Sequence, residues 1–273
     1  MATSPTVSFA QRYPITSRYL TAPSRRRSGI PMTNGVKFVV AHDTGNPNST
    51  AAGNVTYYER SRDEESASAH LFVDDRQIIE CIPALNQSPE KAWHVRYNVP
   101  GDNRLFNVDA NDAAIGVEYC FGSAINADEA YRRYVWVLAL VCVTYQLDPT
   151  RSIVGHFFLD PGRKTDPVTG LAHSRRTYDQ LLRDVASEVA GATGATPQAP
   201  AGVTSFSGTA QVHHAVNLRS AANRRADIVR VAQPGERLVC TAQTDTGEPV
   251  NGNAVWYQTD TGSWFWSGAA RVA

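Results

Sequence analysis

Two histidines and an aspartate, His42, His156 and Asp166, are of the types that hold a hydrolytic zinc ion. Such an ion takes three histidine or carboxylate ligands and keeps a fourth position open for water or substrate. Asp166 follows His156 by ten residues in His156-Phe-Phe-Leu-Asp-Pro-Gly-Arg-Lys-Thr-Asp166, whereas His42 lies far upstream. Ligands so dispersed are compatible with a metal centre and equally with histidines hydrogen-bonded at strand ends. Spacing alone leaves both open. Glu118 has the chemistry of a general base, and in Ile115-Gly-Val-Glu-Tyr-Cys-Phe121 the apolar residues 115, 117, 119 and 121 share one strand face while Glu118 takes the other. Lys164, two residues before Asp166, would point to the same side as Asp166 in an extended segment, where a cation stabilises an oxyanion. A solvated loop lysine is the alternative.

The elements around these residues alternate. Val36 to Ala41 reads as a buried strand ending at His42, followed by a helix over 51–62. Ser68 to Val73, the turn at Asp74-Asp75 and Gln77 to Ile82 read as a hairpin. The strand over 115–121, a helix over 128–147, a short strand over 152–155 and a helix over 174–190 complete the pattern. An α/β fold with a central mixed sheet flanked by helices follows. In such sheets ligands collect beyond the carboxyl ends of the strands, where His42 and His156 would both fall.

Gly191-Ala-Thr-Gly-Ala-Thr-Pro-Gln-Ala-Pro-Ala-Gly202 lacks side chains with which to build a core and reads as a linker. The expected organisation is an N-terminal extension over 1–29, a catalytic domain over 30–190, a linker over 191–208 and a small all-β domain over 209–273. Lysine plus arginine equal aspartate plus glutamate at 26 each, so no overall field recruits nucleic acid or an anionic membrane. Cys81, Cys120, Cys142 and Cys240 form no C-x-x-C pair and read as buried thiols. No run over 1–29 resembles a signal-peptide core, and no stretch approaches membrane-spanning length. Synthesis in the cytoplasm, action on a cell wall after release, and a monomer are the expectations.

Residues 30–190 resemble the type 2 N-acetylmuramoyl-L-alanine amidases, a family shared with animal peptidoglycan recognition proteins. The resemblance is carried by Val39-Val-Ala-His-Asp-Thr-Gly45, Ser68-Ala-His70 with the Asp74-Asp75 turn, Ala92-Trp-His94, Ile115-Gly-Val-Glu118 and the segment His156 to Asp166. It implies that His42, His156 and Asp166 bind Zn2+, that Glu118 is the general base and that Lys164 stabilises the oxyanion. It also implies that His70, Trp93 and His94 lie near the substrate groove, and that the substrate is peptidoglycan. Some family members carry cysteine as the third ligand where this chain has Asp166, and non-catalytic relatives typically lack that ligand. Hydrolysis of the bond between N-acetylmuramic acid and L-alanine is therefore expected. An endolysin is the leading setting; a muropeptide-recycling amidase or a non-catalytic recognition protein are the alternatives.

Ala215 to Ser220, Ile228 to Val239, Ala254 to Gln258 and Gly262 to Trp266 resemble bacterial Src-homology-3-like domains. That resemblance implies a small barrel and a wall-binding role, which would raise the local substrate concentration for a tethered amidase. Of the aromatic cluster Trp256, Tyr257, Trp264, Phe265 and Trp266, most are expected in the core of so small a domain.

Overall fold

The computed structural model describes residues 9–97, 99–193, 202–224, 226 and 228–272. The chain divides into two compact units, Met1–Thr196 and Pro197–Ala273.

The first unit is built on six strands: β1 (Ile15–Ser17), β2 (Phe38–Asp43), β3 (Leu71–Val73), β4 (Ile78–Glu80), β5 (Ala114–Tyr119) and β6 (Ile153–Gly155). Their order is β1-β4-β3-β5-β2-β6; β3, β5, β2 and β6 run parallel, and β4 lies antiparallel to β3. All six residues of β2 are buried, as a central parallel strand covered on both faces requires.

Among the described residues the helices are α1 (Ala51–Arg60), α2 (Pro100–Phe106), α3 (Ala110–Ala113), α4 (Ala127–Tyr145), α5 (His156–Leu159), α6 (Val168–His173) and α7 (Tyr178–Thr193). The start of α4 is set by Asn126, whose side chain accepts from the Glu129 N–H, with Asp128 and Glu129 on the positive end of the helix dipole. One sheet face packs Val39, Ala41, Ile115, Val117 and Tyr119 against Tyr134, Leu138 and Val141 of α4 and Leu181 and Val185 of α7. Each Val, Leu or Ile among them contributes about 1.5–3 kcal/mol of burial. The opposite face carries two smaller clusters. One, around Ala51, Val55 and Phe72, lies under α1; the other, around Phe38, Val40, Val95 and Ala114, lies under α2 and α3.

Residues 9–29, within the expected N-terminal extension, pack on the rest of the first unit. Ile15–Ser17 pairs with β4, Leu20 is buried, and the Trp136 indole N–H donates to the Phe9 carbonyl. This stretch is part of the first unit. The helix expected to end at 190 continues to Thr193, and a strand begins at Val203, so both ends of the expected linker belong to regular elements. Residues 194–201 of that linker lie outside the described residues.

The second unit is an antiparallel sheet of β7 (Val203–Val212), β8 (Val216–Arg219), β9 (Ile228–Ala232), β10 (Arg237–Thr244), β11 (Trp256–Thr259), β12 (Trp264–Trp266) and β13 (Ala270–Val272), in the order β13-β7-β10-β11-β12-β8-β9. Trp256, Trp264 and Phe265 are buried, and Tyr257 and Trp266 pack on the core from its edge. All four cysteines are buried free thiols. No described helix is long and apolar enough to cross a membrane.

Candidate metal centre and catalytic cleft

Strand register places the first two functional side chains. β2 and β5 run parallel with His42 opposite Glu118, and Phe72 of β3 lies opposite Glu118 from the other side. Side chains at paired positions of parallel strands share a face, so His42 and Glu118 emerge next to each other. His42 is the fifth residue of β2 rather than the residue after it, and His156 opens α5 directly after β6. The third side chain arrives by a loop. Asp166 is brought back by its own carbonyl, which accepts from the Phe157 N–H at 3.1 Å, and by Asp43, whose Oδ2 accepts from the Gly170 N–H at 2.7 Å. Gly170 is required there, because a Cβ at that position would lie 2.7 Å from the Asp43 Cβ.

His42, His156 and Asp166 converge, with one ligand atom from each lying within 4.8 Å of the others. Asp166 Oδ2 is 2.8 Å from His42 Nδ1 and 3.1 Å from His156 Nδ1. All three residues are buried. Burial alone would raise the Asp166 carboxyl, but the two imidazoles facing it outweigh that effect and hold it far below the usual carboxylate range. The cluster can hold a metal ion, and two imidazoles with one carboxylate are a donor set suited to zinc.

Glu118 stands beside this cluster, and its buried Oε2 has no hydrogen-bond partner among the described residues. Burial, followed by the charges of Asp166 and Asp43, pushes its carboxyl well above the usual range, and Lys164 partly opposes them. An unpartnered carboxylate with a raised proton affinity is what a general base needs. The cleft in front of it has a volume of about 430 Å³ and is lined by Glu118, the three clustered residues, Trp93, Lys164 and others.

His94 lines the cleft, His70 is not among its lining residues, and the ring nitrogens of both are engaged by the protein itself. His70 is fully buried; its Nδ1 accepts from the Gly116 N–H at 3.0 Å and its Nε2 faces the Glu90 carbonyl at 2.9 Å. His94 is 7% exposed, with Nδ1 facing His42 and Nε2 facing the Ala114 carbonyl. Neither has a ring nitrogen free for a substrate. Trp93, half-buried and 5.9 Å from the Tyr97 ring, remains at the cleft wall. Sequence reasoning missed Asp43 and Gly116 as supports; both sit inside the quoted motifs, but their partners are remote in sequence. Tyr58 also lines the cleft, whereas Tyr57 is exposed. His173 sits at the exposed end of α6 against Phe121, apart from the clustered residues.

These buried histidines make the first unit acid-sensitive. Burial lowers His42 and His70 from 6.5 to about 4, and lowers His94 further. Because the unfolded chain takes up these protons first, the stability contributed by these neutral histidines is complete above about pH 6.5 and is lost as pH falls through their lowered folded values, near 4 for His42 and His70. Urea unfolding between pH 7 and pH 4 should show a loss of several kcal/mol. A flat profile over that window would mean that the histidines are not held neutral.

The match to known proteins fits this geometry. Residues 32–169 match the family model described as N-acetylmuramoyl-L-alanine amidase. The chain belongs to this family. The matched segment of this amidase-family chain contains His42, Glu118, His156, Lys164 and Asp166. Similar proteins include the N-acetylmuramoyl-L-alanine amidase BlyA of Bacillus subtilis (strain 168), 30% identical over 171 residues, which are 60% of this chain and 45% of BlyA. CwlA of the same organism, also an N-acetylmuramoyl-L-alanine amidase, is 31% identical over 103 residues, 37% of this chain and 33% of CwlA. The chain thus spans less than half the length of these curated relatives. Among solved structures, the Staphylococcus aureus hydrolase AmiA in complex with its ligand aligns with TM-score 0.53 and 21% identity, over 72% of this chain and 95% of that one. The catalytic domain of XlyA aligns with TM-score 0.50 and 20% identity, over 63% of this chain and 99% of that one. Both support the fold of the amidase-family unit.

Proposed function

We propose that the chain is a zinc-dependent N-acetylmuramoyl-L-alanine amidase that hydrolyses the amide between N-acetylmuramic acid and L-alanine in bacterial peptidoglycan. The observation that carries this reading is the convergence of His42, His156 and Asp166 beside the unpartnered carboxylate of Glu118, in a chain of the amidase family. Zinc held by these three ligands would polarise the scissile carbonyl and acidify the attacking water. Glu118 takes the proton of that water and delivers it to the leaving amino group of L-alanine as the C–N bond breaks. The products are the lactyl carboxylate of muramic acid and a stem peptide with a free amino terminus. Lys164, on the same cleft, offers a cation to the developing oxyanion, an interaction worth about 3–4 kcal/mol. Trp93 gives the cleft an apolar wall for sugar or peptide.

The setting we favour is an endolysin, with residues 209–273 as an SH3-like wall-binding module. The compact antiparallel sheet of the second unit supports that reading. The test uses two substrates, a soluble muramoyl peptide and intact walls, with and without residues 203–273. Both forms should release peptides beginning at L-alanine from the soluble substrate at similar rates, and the shortened form should be weaker on walls alone. Equal losses on both would make the second unit part of catalysis. Release of new reducing sugar ends in place of L-alanine amino termini would refute the amidase reading.

A further inference from the structure

The His94 ring stands directly behind His42, and its partners determine where its hydrogen lies. Its Nε2 is 3.1 Å from the Ala114 carbonyl oxygen, an atom that only accepts, so Nε2 carries the hydrogen. A neutral imidazole protonated at Nε2 has its lone pair at Nδ1, and His94 Nδ1 lies 3.1 Å from His42 Nε2. That lone pair demands a hydrogen on His42 Nε2, which leaves the His42 Nδ1 lone pair 2.8 Å from Asp166 Oδ2. Two electron-pair donors at that separation repel unless a cation, a proton or a metal ion, lies between them. The opposite arrangement would require either a second hydrogen on His94, a buried charge with no carboxylate partner, or a lone pair aimed at the Ala114 oxygen.

We infer that His94 is a positioning residue that selects the tautomer of His42 and thereby aims Nδ1 of His42 at the metal. The inference rests on the metal reading proposed above and extends it to a residue outside the ligand set. β5 supplies the support. The Ala114 carbonyl orients His94, and Gly116 gives it room, since a Cβ at 116 would lie 2.7 Å from His94 Cγ and 2.8 Å from its Nδ1. Asn111 fixes the backbone of the same residue, its Oδ1 accepting from the His94 N–H at 2.9 Å. Two residues beyond Gly116, on the same face, stands Glu118. One strand therefore orients the support of a ligand and carries the base. His156 has no such support, because its Nε2 is buried with no partner among the described residues. The two histidine ligands are thus unequal, and His42 is the preorganised one.

The test has two readouts besides activity. In the zinc-loaded protein labelled with nitrogen-15, a coupling through the hydrogen bond should connect His42 Nε2 and His94 Nδ1. The shared hydrogen should be bonded to His42 Nε2; a hydrogen found on His94 Nδ1, or no coupling at all, would overturn the assignment. Zinc affinity, measured by competition with a chromogenic chelator, should fall about 10–100-fold in His94→Phe, which keeps the ring and loses the acceptor. His94→Asn, whose Oδ1 can accept from His42 Nε2, should recover most of that loss. Equal zinc affinity in the parent and His94→Phe would also overturn the inference. If His94→Phe does not fold, the nitrogen coupling in the parent and the affinity of His94→Asn decide. Failure of the parent itself to bind zinc would instead refute the metal reading, an outcome separate from these.

Discussion

Replacing Glu118 by glutamine should cut hydrolysis about 10²–10⁴-fold while zinc binding and the fold are retained. The side chain sits opposite His42 in the β2–β5 register but is outside the set of ligand atoms that converge. Glutamine keeps the shape and cannot take a proton. Stability should move in the other direction. The Glu118 carboxyl is buried and raised, so the folded state holds its proton at pH values where the unfolded state has lost it. In the metal-free protein the contribution of this carboxyl to stability therefore decreases as pH rises above the unfolded value near 4.5, and at neutral pH it is a net cost. Glu118→Gln removes that cost, and the Tm of the metal-free variant at pH 7 should equal or exceed that of the metal-free parent. This is the expected exchange of stability for function at an active site. Turnover on a soluble muramoyl peptide, zinc content and Tm measured on one preparation check all three parts. A variant that cleaves at near the parent rate would remove Glu118 from the mechanism.

His156→Ala should behave differently, losing both metal and activity. Its Nδ1 is one of two imidazole nitrogens facing Asp166 Oδ2, and the residue is held between β6 and the Asp166 loop by backbone contacts that alanine can keep. With one of three ligands gone, the remaining pair offers no closed cradle for a zinc ion. The affinity loss should exceed the roughly 10–100-fold that removal of a ligand's hydrogen-bond partner costs. Fold should persist. Zinc content after dialysis, read beside circular dichroism, separates this result from that for Glu118→Gln. Retained stoichiometric zinc in a folded His156→Ala protein would mean that another residue completes the site.

Much of this site was legible before the structure, because strand alternation exposes residue faces. Ile115, Val117 and Tyr119 do pack on α4, and Glu118 does take the other face. What alternation cannot give is register. That His42 lies opposite Glu118 depends on how two distant strands slide against each other. The histidines of the motifs show the same limit: His70 and His94 were visible as chemistry-bearing residues, but their backbone partners Gly116, Glu90 and Ala114 were not. Each therefore read as a groove residue alone, whereas both are buried supports and His94 lines the cleft as well. Short elements escaped for local reasons. The three residues of β1 are largely exposed and carry no alternation, and α2 opens on Pro100-Gly101, a pair that reads as a turn although proline suits a first helical turn. At the other end, Gly191-Ala-Thr193 reads as linker because small residues declare no face, yet they form the last turn of α7.

The central claim, zinc-dependent cleavage at L-alanine, is tested most directly by mass spectrometry of the products from purified peptidoglycan. The digestion is run with the protein as isolated, after chelation, and after zinc is restored. Free stem peptides beginning at L-alanine should appear, vanish with the chelator and return with zinc. Intact muropeptides that merely co-purify with the protein, or cleavage indifferent to the chelator, would contradict it.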